Sequence, residues 1–427
     1  MLAKHVARQF TRHFFKSRPN RILSSNFALE NEWAARHSDL AKLGLGGDYE
    51  WISAVQKKFI GGGYASAVDV DAAVCVAEQK DQLDDVVELL YKLRHSVKAA
   101  EKLESSEYAI VRLLLKYQPE TILTFANDSI NYGIFLNTHL ACVVIDGFLK
   151  TQNIQAAARI VTWMVQQEEL DNELLNVLGL YVCAKWAELP AEQQTIDLGA
   201  VEEEEDVNDD DIRTFKFPYL KNEHFDEHFD LTNAHHLIGK SLMWMARDSR
   251  SLNEDLRKSL QFLGAVYFEK LEEAANLASS LPKNSPVGHL VRQKLEKVEE
   301  PSEAVKSILE KIGENENTDG ATTTLSSLLA ESLKSIQIEE ENKLCEMQKA
   351  KFVEWSERRL VLVKSQAQKV LLKVRNEEIH AELKKLDEIE EQMSFFQNRL
   401  MWEKKANENT EIDNEAKLRN EKRLATA

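Results

Sequence analysis

Apolar residues recur with a helical period from about Ala67 to Trp186, in paired segments that repeat at a step of about 35 residues. One unit runs from Val68 to Ser96, with LDDVVELLYKL as its second helix. The next covers Ser105 to Asn131, with AIVRLLLKY followed by ETILTFANDSI. The third, Asn137 to Gln167, is the clearest, and ELLNVLGLYVCAKWAEL supplies the first helix of a fourth. Leu83, Glu120 and Ile154 open the three second helices, and Val86, Leu123 and Ala157 follow three residues on. A two-helix unit of this length cannot bury its own apolar face. Stacking must close the core, so the pattern predicts a solenoid of helical repeats over residues 30–190.

Beyond it, EEEEDVNDDD places eight acids in ten residues, Glu202 to Asp211, and their repulsion predicts a solvated loop or linker over 191–230. Helical periodicity resumes at about Leu231 and defines a second helical region, 231–312. Trp163, Trp186 and Trp244 fall on apolar helical stripes and are expected in the core. Pro282, Pro286 and Pro301 then punctuate the chain, and GENENTDGATTT opens a flexible linker, 313–335. After Gly320 neither Gly nor Pro occurs in the remaining 107 residues. Within them Leu360, Val363, Ala367, Val370 and Val374 alternate steps of three and four. Ile379, Leu386, Met393 and Leu400 step by sevens, with Leu383, Ile389 and Phe396 between. This heptad seam, interrupted by the five-residue step from Val374 to Ile379, predicts a long charged helix over 336–405 and a polar tail over 406–427. The helix either reaches a partner as a coiled-coil-like strut or folds back on the body. The expected fold class is all-α.

Charge adds an address. The first 29 residues hold six Lys or Arg and no acid, in a chain of formal charge −17. On a helix Leu2, Val6, Phe10 and Phe14 form an apolar stripe, and Lys4, Arg8, Arg12 and Lys16 a cationic one. An Arg-rich, acid-free amphipathic start is what a mitochondrial import presequence needs; residues 1–23 are assigned to it, with removal near Arg21 to Ser25. The alternative is a retained basic arm that touches RNA or membrane. Removal takes the formal charge to −23, so contact with a polyanion must be confined to local basic patches. Cys75, Cys142, Cys183 and Cys345 are far apart and form no CxxC pair, as suits a reducing compartment such as the mitochondrial matrix. No run of about 18 uncharged apolar residues predicts a membrane span.

In the third repeat, Val144 and Ile145, Asp146 and Gly147, Phe148, Lys150, Ala157 and Met164 fall in the order of the pentatricopeptide-repeat pattern, which VIDGFLKTQNIQAAARIVTWM therefore resembles. With LYKLRHS (Leu90 to Ser96), YGIF (Tyr132 to Phe135), the import-like start and the charged helical tail, the chain resembles the pentatricopeptide-type family of the mitochondrial ribosomal small subunit, number twenty-seven in that subunit's series. The resemblance implies a pentatricopeptide-like helical-hairpin solenoid and a non-enzymatic subunit component. It also implies contacts with small-subunit ribosomal RNA and other mitochondrial ribosomal proteins, in support of mitochondrial translation. In RNA-reading repeats of this type a small polar residue on the first helix selects the base. Here that place falls at about Cys142, a poor base reader, so structural docking is implied rather than sequence reading. A free pentatricopeptide RNA-processing or translation-activating factor, or a coiled-coil adaptor without RNA, are the competing readings.

Candidate RNA contacts are Lys92, Arg94, Lys98 and Lys102, beside His95 at a second-helix end, with Lys116 and Lys150 at equivalent repeat positions. Cations there suit both phosphate and the negative end of a helix dipole, and ordinary helix-end solvation is the plainer alternative. NEHFDEHFD sets His224 and His228 four apart, as some zinc sites begin, but no spacing fixes further ligands, so no metal is assigned. IGKS (Ile238 to Ser241) has the ending of a phosphate loop but carries Ala234 where the loop needs a glycine. GLGG at Gly44 and GGG at Gly61 read as turns. No nucleophile elbow or dyad is recognisable, and no catalytic residue, cofactor or small-molecule substrate is expected.

Overall fold

The computed structural model describes residues 22–45, 49–199, 231–282, 285–295, 303–315 and 324–425. Residues 1–21, the acidic run, NEHFDEHFD and most of GENENTDGATTT lie outside them. The described residues are all-α and contain no strand. Three helices lead in: α1 (Glu30–Ala34), α2 (Arg36–Lys42) and α3 (Tyr49–Lys57). The repeats follow as α4 (Ala67–Val76) with α5 (Leu83–Arg94), α6 (Glu104–Tyr117) with α7 (Thr121–Asn127) and α8 (Ser129–Tyr132), α9 (Thr138–Lys150) with α10 (Ile154–Gln166), and α11 (Glu173–Ala187). The second region holds α12 (Ala234–Asp248), α13 (Glu254–Tyr267), α14 (Leu271–Ala278), α15 (Gly288–Leu295) and α16 (Glu303–Asn315); α17 runs Leu325–Ala425.

Side-chain caps set the repeat starts. Ser66, Asn137, Asn153 and Asn172 each accept a backbone N–H three residues on, at 2.8–3.1 Å, satisfying donors that the first helical turn leaves without carbonyl partners. The second repeat departs from the expected single helix in ETILTFANDSI. Asp128 leaves helical geometry and caps Asn131, so α7 stops and α8 restarts, ending on Gly133 at φ +62°. That glycine allows close approach as well: a Cβ there would sit 2.5 Å from Arg94 Cδ. The solenoid core is centred on α10, where Ala157, Ile160, Trp163 and Met164 are wholly buried, and on α11, buried nearly all round. Trp186 is buried too, but Trp244 is only partly covered, flanked by Lys240 Nζ 4.3 Å and Arg247 Cζ 5.5 Å from its ring centroid. Its position is that of a half-buried, cation-stacked aromatic rather than the expected core residue.

IGKS lies inside α12, and the structure gives its glycine a packing role. A Cβ on Gly239 would stand 2.5 Å from Phe268 N and 2.7 Å from Gly264 O; one on Gly264 would stand 2.7 Å from Gly239 O. The α12 and α13 backbones meet at these two glycines, and no backbone atom can swing aside. Gly239→Ala is therefore expected to lower unfolding free energy by about 1–3 kcal/mol in chemical denaturation, overpacking outweighing alanine's helix propensity of about 1 kcal/mol. Unchanged stability would contradict this account of the crossing.

The chain divides into two compact units, residues 1–359 and 360–427. Through Arg359, α17 packs within the first unit. The helix begins earlier than the seam indicates, at Leu325, where Thr324 Oγ accepts Ser327 N–H, and it continues through the polar stretch after residue 405. No breaker interrupts it, and exposed i,i+4 pairs such as Arg399–Glu403 and Arg419–Glu415 support it. In the second unit most seam residues are exposed, among them Val370, Ile379, Leu386 and Phe396, while Val363 is partly covered. The five-residue step turns the apolar face by about 140° at 100° per residue, so the seam presents two successive faces.

Candidate nucleic-acid interface

The row of first helices, α4, α6, α9 and α11, is where a pentatricopeptide solenoid would present base-selecting residues. Two segments of the chain itself cover this row. Beginning at the α11 end, Glu188 accepts from Ser326 N–H at 2.9 Å and from its hydroxyl at 2.6 Å. At α9, Asp146 accepts from Ile22 N–H at 3.1 Å and Leu23 N–H at 3.4 Å, and Asn137 donates to Gln348 at 3.2 Å. At α6, Trp355 Nε1 donates to Glu104 at 3.3 Å, and Tyr108 packs against Trp33 and Phe352, ring centroids 4.9 and 5.4 Å apart. At α4, Arg359 Nε donates to Asp71 at 2.7 Å. Residues 325–359 of α17 thus cross the first helices in reverse order, and residues 22–45 also contact them, through Ile22 at Asp146, Ala28 at Arg112 and Arg36 at Cys75.

Cys142, near which the pentatricopeptide resemblance would put a base-selecting residue, is wholly buried beneath this cover. Burial, with the Glu341 and Asp146 carboxylates nearby, pushes its thiol well above the usual range. A neutral, water-excluded thiol facing carboxylates offers nothing to a nucleobase or a phosphate. Asp146 and Gly147 of the repeat pattern are likewise occupied. Asp146 holds the amino-terminal segment, and Gly147 lies where a Cβ would meet the tip of Leu115 on α6 at 2.8 Å.

The six candidate cations are not gathered in one track. Lys92 pairs with Glu88 at 2.7 Å and Lys98 with Glu101 at 2.5 Å, both pairs partly or wholly solvent-facing. Arg94 is buried and donates to the Ile130 carbonyl at 3.0 Å; burial lowers its pKa. Lys102 is held by the Gly133 carbonyl and Glu107, and lines a cleft with Arg94 and Phe135. Lys150 is held by Asp146. Lys116 lies elsewhere, 4.8 Å from the Tyr117 ring centroid, in a cleft with Arg36, Arg112 and Trp33. Arg36 stacks over Trp33 at 4.5 Å and pairs with Glu78, and Arg112 pairs with Glu30.

A further basic segment escaped sequence reasoning. From Leu360 to Asn376, within the second unit, Lys364, Lys369, Lys373 and Arg375 occur with no acid, on an exposed helix. Lys373 reaches Glu377 only at 4.0 Å, between two well-exposed side chains, a weak constraint. Its signal in the sequence is a 17-residue gap in a chain rich in acids, overlaid by the apolar positions of the heptad seam.

The family model of mitochondrial 28S ribosomal protein S27 matches residues 1–385. The chain belongs to that family. Membership in the S27 family makes it a mitochondrial small-subunit ribosomal protein and points to a structural, non-enzymatic role with ribosomal RNA and ribosomal proteins as partners. No helix among the described residues is long and apolar enough to cross a membrane.

Proposed function

We propose that this S27-family chain is an architectural component of the small subunit in the mitochondrial matrix, docking on ribosomal RNA and neighbouring proteins to support mitochondrial translation. It docks through surfaces outside the solenoid groove and reads no RNA sequence. The observation that carries this reading is the cover over the first helices, which buries Cys142 and occupies much of that face with the chain's own residues 22–45 and 325–359. Lys92 and Lys98, whose solvent-facing ion pairs contribute little and are readily exchanged, and Lys116 beside the Tyr117 ring are the repeat cations best disposed to take phosphate. Lys364, Lys369, Lys373 and Arg375 form a second set, while Arg94, Lys102 and Lys150 hold the fold. The apolar faces beyond Leu360 suit protein neighbours.

The test is sedimentation of mitochondrial lysate on sucrose gradients, where stoichiometric comigration with the small subunit is expected. A predominant light-fraction pool would instead favour a free RNA-processing or translation-activating factor. With purified chain and small-subunit RNA, replacing Lys92, Lys98 and Lys116 by Gln is expected to reduce the slope of log K against log salt by about 2, at roughly 0.7–0.9 per phosphate contact. An unchanged slope would remove these three from the interface.

A further inference from the structure

The amino-terminal segment is held to the first unit through three successive backbone nitrogens. Ile22 N–H and Leu23 N–H both donate to Asp146 Oδ1, at 3.1 and 3.4 Å, and Ser24 N–H donates to Glu341 Oε1 at 3.1 Å. Gln337 Nε2 donates to the Ile22 carbonyl and to Glu341 Oε1, each at 2.7 Å. Asp146 is 4% and Glu341 6% exposed. Two buried carboxylates therefore converge on three successive backbone nitrogens. The side chains beside them are anchored as well: Leu23 is buried, and Ile22 borders a cleft with Leu149, Ile154 and Tyr181.

Buried carboxylates are stable only where cations or hydrogen-bond donors compensate them. Lys150 supplies one cation to Asp146, but Glu341 receives neutral donors from Ser24 and Gln337. An α-ammonium in place of the Ile22 amide would add a positive charge at a nitrogen already 3.1 Å from Asp146. The residue immediately before it is Arg21, the last cation of the acid-free, Arg-rich start.

We propose that import processing cuts the chain between Arg21 and Ile22, and that the new Ile22 ammonium is held by Asp146. The step is hydrolysis by a processing peptidase. Water adds across the amide, its hydroxyl going to the Arg21 carbonyl carbon and its proton to the Ile22 nitrogen, and the released amine takes up a further proton to become the ammonium. A start at Ile22 keeps every contact of the cradle. A start at Leu23 forfeits the Gln337 bond to the Ile22 carbonyl, and a start at Ser24 also loses the buried Leu23 side chain.

The proposal rests on mitochondrial import but not on how the chain docks within the subunit. Its first test is intact-mass and amino-terminal analysis of the endogenous protein purified from mitochondria. A chain beginning at Ile22 is expected; one retaining residues 1–21, or beginning at Leu23 or later, overturns it. The second test compares recombinant chain 1–427 with chain 22–427 released from a cleavable fusion so that Ile22 is its first residue, each with and without Asp146→Asn. The 22–427 chain is expected to have the higher melting temperature, and Asp146→Asn to erase that difference, because the substitution weakens Lys150 in both backgrounds but the ammonium contact in only one. An equal melting temperature in the two unsubstituted chains, or a difference that survives Asp146→Asn, overturns the ammonium site. Neither result depends on RNA binding or on sedimentation with the small subunit, so failure here is separable from failure of the ribosomal role.

Discussion

Replacing Arg359 with Ala is expected to lower the unfolding free energy of the first unit by about 3–5 kcal/mol, the usual cost of stripping one partner from a buried ion pair. Both side chains are out of water, Arg359 at 4% and Asp71 at 0% exposure. Besides its 2.7 Å bond to Asp71, the guanidinium donates to Ser105 Oγ at 3.2 Å; the Ser105 hydroxyl and the Cys75 thiol in turn donate to Asp71. Burial and the neighbouring Asp71 carboxylate push the Cys75 thiol far above its usual range, so it remains a neutral donor. Without Arg359, the Asp71 carboxylate keeps two neutral donors and loses its only close cation among the described residues. The cost therefore comes chiefly from an uncompensated buried charge.

A second variant separates that cost from loss of packing. Arg359→Met combined with Asp71→Leu removes both charges together and should recover most of the lost stability, since an apolar pair of similar volume is often neutral or better. Denaturant unfolding of the parent, Arg359→Met, Asp71→Leu and the double variant closes a double-mutant cycle and gives the coupling. If Arg359→Ala costs less than about 1 kcal/mol, the pair is not a principal fastener of α17 on the first helices.

The helical repeats were legible because their signals are local. The starts at Leu83 and Ile154 match expectation to the residue, and Asn137, Asn153 and Asn172 mark helix ends within three positions of the groups they cap. Gly147 and Asp146 were read as parts of a repeat pattern, but what they touch was not readable: Leu115 belongs to the preceding repeat, and the Ile22 amide is 124 residues away. The cover over the first helices was hidden for the same reason. Arg359 and Asp71 are 288 residues apart, and nothing local distinguishes this arginine from Arg358 beside it. Helical phase alone turns one toward Asp71 and leaves the other exposed. Gly239 was ambiguous in the opposite sense. A phosphate loop and a close helix crossing both need a glycine, and only the approach of Gly264 decides between them.

Acidification supplies the second large effect, through His139 beneath the amino-terminal segment. The ring stacks on Phe27 with centroids 4.7 Å apart, and its Nε2–H donates to the Phe27 carbonyl at 2.8 Å. Tyr108 OH lies 3.3 Å from Nδ1 and itself accepts from Arg112 at 3.0 Å. A protonated Nδ1 would therefore face a hydroxyl already oriented to donate, with the Arg112 cation behind it. Burial first, and Arg112 in addition, lower the His139 pKa from 6.5 to about 4, although the Phe27 carbonyl favours the charged ring. With the folded value below the unfolded one, the unfolded chain binds the extra proton between these limits. The stability is fully present above about pH 6.5 and is lost as pH falls toward 4. A shift of this size corresponds to about 3 kcal/mol at 1.36 kcal/mol per unit. The variant His139→Gln, which does not titrate, should be less stable than the parent at pH 7.5 and should close most of that gap by pH 4. Because other groups titrate alike in both chains, the difference between their unfolding free energies isolates His139. A gap independent of pH would mean that the ring is not held neutral, and that the Phe27 contact stands without the Tyr108 and Arg112 arrangement behind it.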